Sequence, residues 1–215
     1  MLTLIRDVCD VYILGSVTYL MPSSTYHHGD LRAACVRAAI ELLEEDGNTA
    51  GLSLRAVARR AGVSPGAPYR HYADRDALVS AVAAVGYREL ADCMAAPNPS
   101  PSTPEDLADL GLAYVEFALR RPALFRLMFG EPCERENKDR VAATAAIWEL
   151  VSGAARACFP GTDVEAMSNA LWSLVHGLAF LHLDGKFDTA SPHAVSDRVR
   201  AAILGIVTAY CAEST

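Results

Sequence analysis

An all-α fold is predicted for this chain by three features of its sequence. Alanine, the strongest helix former, occurs 37 times in 215 residues. Apolar residues recur at three- and four-residue intervals in one segment after another, and no stretch has the period of two expected of a half-buried strand. Ser53, Ser64, Asp74, Thr103 and Ser191 stand as N-caps ahead of such segments, while Gly47 and Gly62 stand behind two of them as C-terminal stops. The apolar fraction of 52% and charged fraction of 21% are those of a globular chain. The length suits one large domain or a small one joined to a mid-sized one. No apolar run approaches the roughly 18 residues of a membrane span, so no membrane partner is expected.

The elements follow in order. From Asp30 to Asp46, Leu31, Ala34, Cys35, Ala38, Ala39, Leu42 and Leu43 fall on one helix face, and Gly47 ends it. Ser53 caps a second helix of about two turns, with Leu54, Val57, Ala58 and Ala61 on its apolar side and Gly62 closing it. Ser64-Pro65 opens a third short helix carrying Tyr69, Arg70, His71 and Tyr72. Pro68 falls at its fourth position and removes one hydrogen bond, so this helix is expected to start tight or slightly bent without breaking. Asp74 caps a fourth helix running through Leu78, Val82, Val85 and Leu90 to about Met94.

Residues 96–103, rich in Pro and Ser, form the clearest loop. Helices are then expected from Pro104, over 122–129, over roughly 137–158, over 163–183 after the turn Phe159-Pro160-Gly161, and from Pro192 through Tyr210. At the other end, Val11 to Met21 is apolar at eight of eleven positions but makes a poor secretory signal. Arg6 is offset by Asp7 and Asp10, and no small-residue cleavage site precedes Ser23. Residues 1–22 therefore read as an N-terminal extension, either a mis-assigned start ahead of Met21 or a genuine extra arm. Six scattered cysteines, with no C-x-x-C pair and no His at ligand spacing, encode neither a metal site nor a cofactor site and suit a reduced, cytoplasmic compartment.

Charge is unevenly placed. The net charge is −7, yet residues 52–73 hold four arginines (Arg55, Arg59, Arg60, Arg70) and no acid, leaving −11 for the remainder. Two short helices joined by a turn at Gly62 make a helix-turn-helix, and a local +4 on it is the electrostatic footprint of a phosphate-binding face. Gly62-Val63-Ser64-Pro65-Gly66 also satisfies G-x-S-x-G, but that nucleophile elbow needs a strand before the serine, and a helical segment precedes it here.

The run S-L-R-A-V-A-R-R-A-G-V-S-P-G-A-P-Y-R-H-Y-A-D-R-D-A-L, Ser53 to Leu78, preceded by Y-H-H-G-D-L-R, resembles the N-terminal domain of the TetR/AcrR transcriptional regulators. The resemblance implies a three-helix DNA-binding domain over 26–85 and a helical ligand-binding and dimerisation domain over 86–213. By position it implies phosphate contacts from Arg55, Ser64, Tyr69, His71 and Tyr72, and base proximity for Pro65, Gly66, Ala67 and Arg70. Arg75 stands where the family usually has Lys, which keeps the charge and changes the donor geometry. Further on, L-W-S-L-V-H-G-L-A-F, with Trp172, His176 and Gly177, resembles the subgroup named for a Trp…His-Gly signature.

Trp172 and His176 share a helix face and either pack in a core or wall a pocket. Helical periodicity adds Tyr87, Tyr114, Phe117, Phe125, Phe129, Trp148 and Phe180 as pocket candidates, suited to a small apolar or aromatic effector. Small residues on the last two helices (Gly177, Ala179, Ala201, Ala202, Gly205), with Leu174, Leu178, Leu204 and Val207, suit a dimer seam. The expectation is a homodimeric, ligand-released repressor on a near-palindromic double-stranded operator. An activator of the same fold is the alternative. A carrier or enzyme is disfavoured, because His176, His182 and Asp184 lie along one helix without a partnered Ser or Cys.

Overall fold

A computed structural model describes residues 31–130 and 137–213, so the extension over 1–22 and Cys9 and Cys133 lie outside the described residues. Eight α-helices follow in order: α1 (Leu31–Asp46), α2 (Leu54–Arg60), α3 (Arg75–Ala95), α4 (Pro104–Arg120), α5 (Pro122–Gly130), α6 (Lys138–Cys158), α7 (Val164–Leu183) and α8 (Pro192–Glu213). No strand occurs among the described residues, and none of these helices is long and apolar enough to cross a membrane.

The helix starts are local chemistry. Ser53 Oγ accepts from the Ala56 amide at 3.2 Å, and Asp74 Oδ1 accepts from that of Ala77 at 2.9 Å. Thr103 and Asp106 form a reciprocal capping box, the Asp106 amide donating to Thr103 Oγ1 (3.1 Å) and the Thr103 amide to Asp106 Oδ2 (3.0 Å). Hydrogen bonds from the Ser102 amide first, then from the Asn98 side chain and from Thr103, hold the Asp106 carboxyl down at about 2. Arg121 leaves helical geometry (φ −127°, ψ 56°) because Pro122 follows it, which separates α4 from α5. Gly47 and Gly62 adopt φ +68°, which lets the chain leave α1 and α2 as expected.

One expected helix is shorter than its sequence suggests. After Gly62 the chain makes a turn, with the Ala67 amide donating to the Ser64 carbonyl at 2.9 Å, and only Pro68–Arg70 is regular, as a single 3₁₀ turn. Pro68 has no amide for the first α-type bond. The tighter i→i+3 pattern takes its place until the Tyr72 amide reaches the Pro68 carbonyl at 3.0 Å.

The helices share one continuous core that runs from Cys35 in α1 to Val207 in α8. α1, α2 and the start of α3 enclose Leu43, Leu54, Val57, Tyr72, Leu78 and Val82. The rest of α3 packs on α4, α5 and α6, and α4 lies against α7 and α8. α3 runs unbroken across residue 85 as a 21-residue helix.

Candidate nucleic-acid interface and ligand cavity

The helix-turn-helix presents a basic, polar face. Arg55, Arg59, Ser64, Pro65, Gly66, Arg70 and His71 are exposed, Ala67 is half-buried, and Tyr69 keeps 51% of its surface in solvent. An aromatic ring left so far out of the core beside three exposed arginines suits contact with a polyanion.

One expected contact is corrected. Tyr72 is only 2% exposed, and its hydroxyl donates to the Arg32 carbonyl at 3.0 Å, so it packs the recognition segment against α1 and does not face DNA. Arg75 is half-buried, Nε donating to the Leu52 carbonyl and Nη2 to that of Thr49, both at 3.3 Å, while Nη1 lies 3.7 Å from Asp76 and 37% of the side chain stays in solvent. It pins the α1–α2 loop to the start of α3.

Charge in the patch is also reduced by a partner from α1. Arg60 donates to Glu45 Oε1 at 2.9 Å, also contacts Glu45 Oε2, and reaches Glu41 at 3.5 Å. The guanidinium holds the Glu45 carboxyl below the usual carboxylate range. These acids crowd the C-terminal end of α1, where the helix dipole disfavours them, and Arg60 offsets that cost. Arg121 does the same from the α4–α5 junction: its Nε pairs with Glu44, and Nη1 donates to Glu89 Oε2 at 2.9 Å. Burial raises the Glu89 pKa, against the pull of Arg121.

A cavity of about 440 Å³ opens among α3, α4, α5, α6 and α7. Of the expected pocket residues, Tyr87, Tyr114, Phe129, Trp148 and Trp172 line it. Phe117 and Phe125 do not: at 1% and 0% exposure they are core. His176 and Phe180 stand behind the lining, the imidazole 4.7 Å from the Phe129 ring and 4.9 Å from that of Phe180. Arg140, Thr144, Ile147 and Val151 from α6, with Met128, complete the wall and were missed. Their spacing of 140, 144, 147 and 151 along one helix face was the available signal.

The polar groups near the cavity are wired to one another. The Trp172 indole N–H approaches the Tyr114 oxygen at 3.4 Å, and that oxygen lies 2.8 Å from His176 Nδ1. Indole can only donate, so the Tyr114 oxygen accepts from Trp172, while the direction of its bond with His176 Nδ1 follows the imidazole tautomer. Burial lowers the His176 pKa, which favours the neutral imidazole, and raises that of the Tyr114 phenol.

His182 and Asp184 play other parts. His182 is buried with Nδ1 2.7 Å from the Leu178 carbonyl and Nε2 3.1 Å from Arg198, and Asp184 pairs with Arg126 at 2.5 Å. The three residues weighed as catalytic do not converge on one point.

A profile described as "Bacterial regulatory proteins, tetR family" matches residues 36–82, and one described as "Tetracyclin repressor-like, C-terminal domain" matches residues 107–208. The chain belongs to the TetR family of transcriptional regulators. The HTH-type transcriptional regulators Rv1816 of Mycobacterium tuberculosis and Mb1846 of Mycobacterium bovis are each 33% identical to it over 105 residues. That stretch is 46% of this chain and 45% of theirs, so the match spans less than half the length of these relatives.

Among solved structures, a protein of unknown function from Rhodococcus sp. RHA1 is 32% identical, with a TM-score of 0.70 over 84% of this chain and 96% of that one. A tetR-family bacterial regulatory protein from Rhodococcus RHA1, 22% identical, has the same fold, with a TM-score of 0.63 over 81% and 95% of the two chains. In this TetR-family chain the matched N-terminal span holds α2 and the exposed recognition turn. The C-terminal span holds most of the cavity wall.

Proposed function

We propose that this regulator is a cytoplasmic homodimeric repressor that leaves a near-palindromic operator when an apolar or aromatic ligand enters the cavity. The observation that carries the proposal is the continuity of α3. Its first half packs in the helix-turn-helix core through Leu78 and Val82, and two residues beyond Val85 it places Tyr87 in the cavity wall. A ligand that displaces Tyr87 therefore acts on the helix that also supports the recognition turn. The shift it can cause is bounded by the difference in its affinity for the two conformers.

On DNA, Arg55, Ser64, Tyr69 and His71 hold phosphates, while Pro65, Gly66, Ala67 and Arg70 sit nearest the bases. The dimer seam is the outer stripe of α7 and α8. Leu174, Gly177, Ala201, Ala202, Leu204 and Gly205 are exposed or half-buried there, and a Cβ built on Gly177 or Gly205 meets nothing within 4 Å. Leu178, Ala179 and Val207, expected at the same seam, belong to the protomer's own core.

A two-fold axis through that stripe gives two recognition turns for two half-sites, spaced by one helical turn of about 34–36 Å or a multiple of it. The direct test is a mobility shift against promoter-proximal DNA of its own gene, run beside sedimentation. A salt-sensitive, sequence-specific band carried by a dimer supports the reading. A monomer, or the absence of a specific band with such fragments, refutes it.

A further inference from the structure

The lining of the cavity points to the charge of its occupant, an inference that rests on the ligand-binding reading above. Ten residues form the wall, and Arg140 alone among them is charged. Among the described residues no carboxylate lines the cavity. Several neutral polar groups of the wall are already committed inside the protein. The Tyr87 hydroxyl donates to the Met128 carbonyl at 2.8 Å, and the Thr144 hydroxyl lies 3.0 Å from the carbonyls of both Arg140 and Val141. The Tyr114 hydroxyl oxygen is engaged by His176 Nδ1 and by the Trp172 indole N–H. Arg140 keeps a contact of its own within the chain. A guanidinium carries five N–H donors in a planar fork, enough to hold that contact and also receive a carboxylate.

The rest of the surface is apolar and largely aromatic. The Trp148 and Trp172 rings lie 6.5 Å apart in edge-to-face geometry, and Phe129 and Tyr114 close the wall beside them. Arg140 and Trp148 are eight residues apart on α6, about 12 Å along the helix axis. A molecule lying along α6 would thus meet a cation at one end and aromatic edges at the other. We propose that the effector is an aromatic monocarboxylate, its carboxylate on Arg140 and its ring system between the two indoles and Phe129. A charged hydrogen bond in a half-dry site is the strongest single contact this wall offers.

The chain contains two tryptophans and both line the cavity, so intrinsic tryptophan emission reports on this site alone. The probes are 4-butylbenzoate, 4-butylbenzyl alcohol and 4-butylbenzylamine, which share one body and differ in charge. The expected result is a dissociation constant for the carboxylate about tenfold or more below that of the alcohol, with the amine weakest, since a charged hydrogen bond contributes about twice a neutral one. Arg140→Met should abolish the preference while changing alcohol binding less than about twofold, and Arg140→Lys should keep most of it. Arg140→Gln replaces Arg140→Met if circular dichroism shows that variant unfolded.

The proposal is overturned if the alcohol or amine binds as tightly as the carboxylate, or if the preference survives loss of the Arg140 charge. It is equally overturned if none of the three alters emission at millimolar concentration in folded protein. A parallel mobility shift of the unliganded protein separates the failures. Loss of specific DNA binding sinks the regulatory reading, whereas retained DNA binding without carboxylate preference sinks only this one.

Discussion

Tyr69 and Tyr72 lie three residues apart, and position along the chain gives them the same expected role on DNA. The structure separates them: Tyr69 is 51% exposed, and Tyr72 is buried with its hydroxyl on the Arg32 carbonyl. Replacing Tyr72 by Phe keeps the ring and removes one neutral hydrogen bond, a loss of about 0.5–1.5 kcal/mol. In a chain of this length each kcal/mol moves Tm by roughly 2–4 °C, so Tyr72→Phe should melt about 1–6 °C lower. Operator affinity should stay within about twofold. Tyr69→Phe should do the reverse, leaving Tm within about 1 °C because the hydroxyl is in solvent, and weakening operator binding by about 2- to 13-fold if that hydroxyl meets a phosphate. Tyr72→Ala, which empties a buried aromatic site, should cost about 3–5 kcal/mol and serves as the positive control for stability. Thermal melting and quantitative mobility shifts at fixed salt give both numbers for each variant. Tenfold weaker DNA binding by Tyr72→Phe at unchanged Tm would refute the assignment of Tyr72 to the core.

Other outcomes follow from the same geometry. Arg55→Ala and Arg59→Ala should each lower the slope of log affinity against log salt by about 0.9 for every phosphate the arginine neutralises, while Arg60→Ala, already paired with Glu45 and Glu41, should change it by less than half as much. A Cβ at Gly111 would collide with Ile203 Cδ1 and lie 3.0 Å from Val175 Cγ1, so Gly111→Ala should destabilise the α4–α7–α8 packing by about 1–3 kcal/mol in urea unfolding. At Gly86 a Cβ would meet Met128 Sδ at 2.5 Å; Gly86→Ala should push Met128 toward the cavity and weaken ligand binding while unliganded DNA binding persists, as emission titration and mobility shift can read. Burial holds the His176 pKa below its usual 6.5, so as pH falls through about 6.5 the unfolded chain takes up a proton that the folded one refuses. Stability from this group is therefore full above that pH and declines below it, down to the folded pKa. His176→Asn, which can still hydrogen-bond Tyr114 but does not titrate, should flatten urea-measured stability between about pH 7.5 and 5.5 relative to the parent.

Much of the fold was legible because its punctuation is local. Ser53, Asp74, Thr103 with Asp106, and Pro122 act on amides or carbonyls within four residues, and each helix boundary they mark is where the chain turns. Features set by two distant segments were not legible. Arg60 reads as part of a basic patch until α1 brings Glu45 across to it, and Tyr72 reads as a surface donor until Arg32 is placed beside it. The same limit divides the aromatic residues. Periodicity puts Phe125 and Phe129 four apart on α5, but Phe125 is wholly enclosed by Tyr114, His176 and Phe180, and Phe129 one turn later reaches the cavity. The recognition segment shows a local rule with a larger consequence than expected: one missing amide at Pro68 was enough to reduce a short helix to a 3₁₀ turn, because so few other hydrogen bonds could hold it.

Under the proposed ligand-release mechanism, that short turn matters for how ligand and DNA are coupled. A single 3₁₀ turn has little stiffness of its own, so its orientation is set by what it rests on: Tyr72 against α1, and α3, which begins three residues after Tyr72. α1 is tied in turn to the effector-side helices through Glu44, which pairs with Arg121 at the α4–α5 junction, while Glu89 on α3 takes the other side of the same guanidinium. Two supports of the recognition turn thus meet at one arginine, on the bend from which α5 carries Met128 and Phe129 into the cavity wall. A ligand that moves α5 relative to α3 must change the Arg121 geometry or carry both helices with it. In the first case the α1–α3 relation changes, in the second both helices shift together, and under the proposed ligand-release mechanism the recognition turn, with little stiffness of its own, follows them.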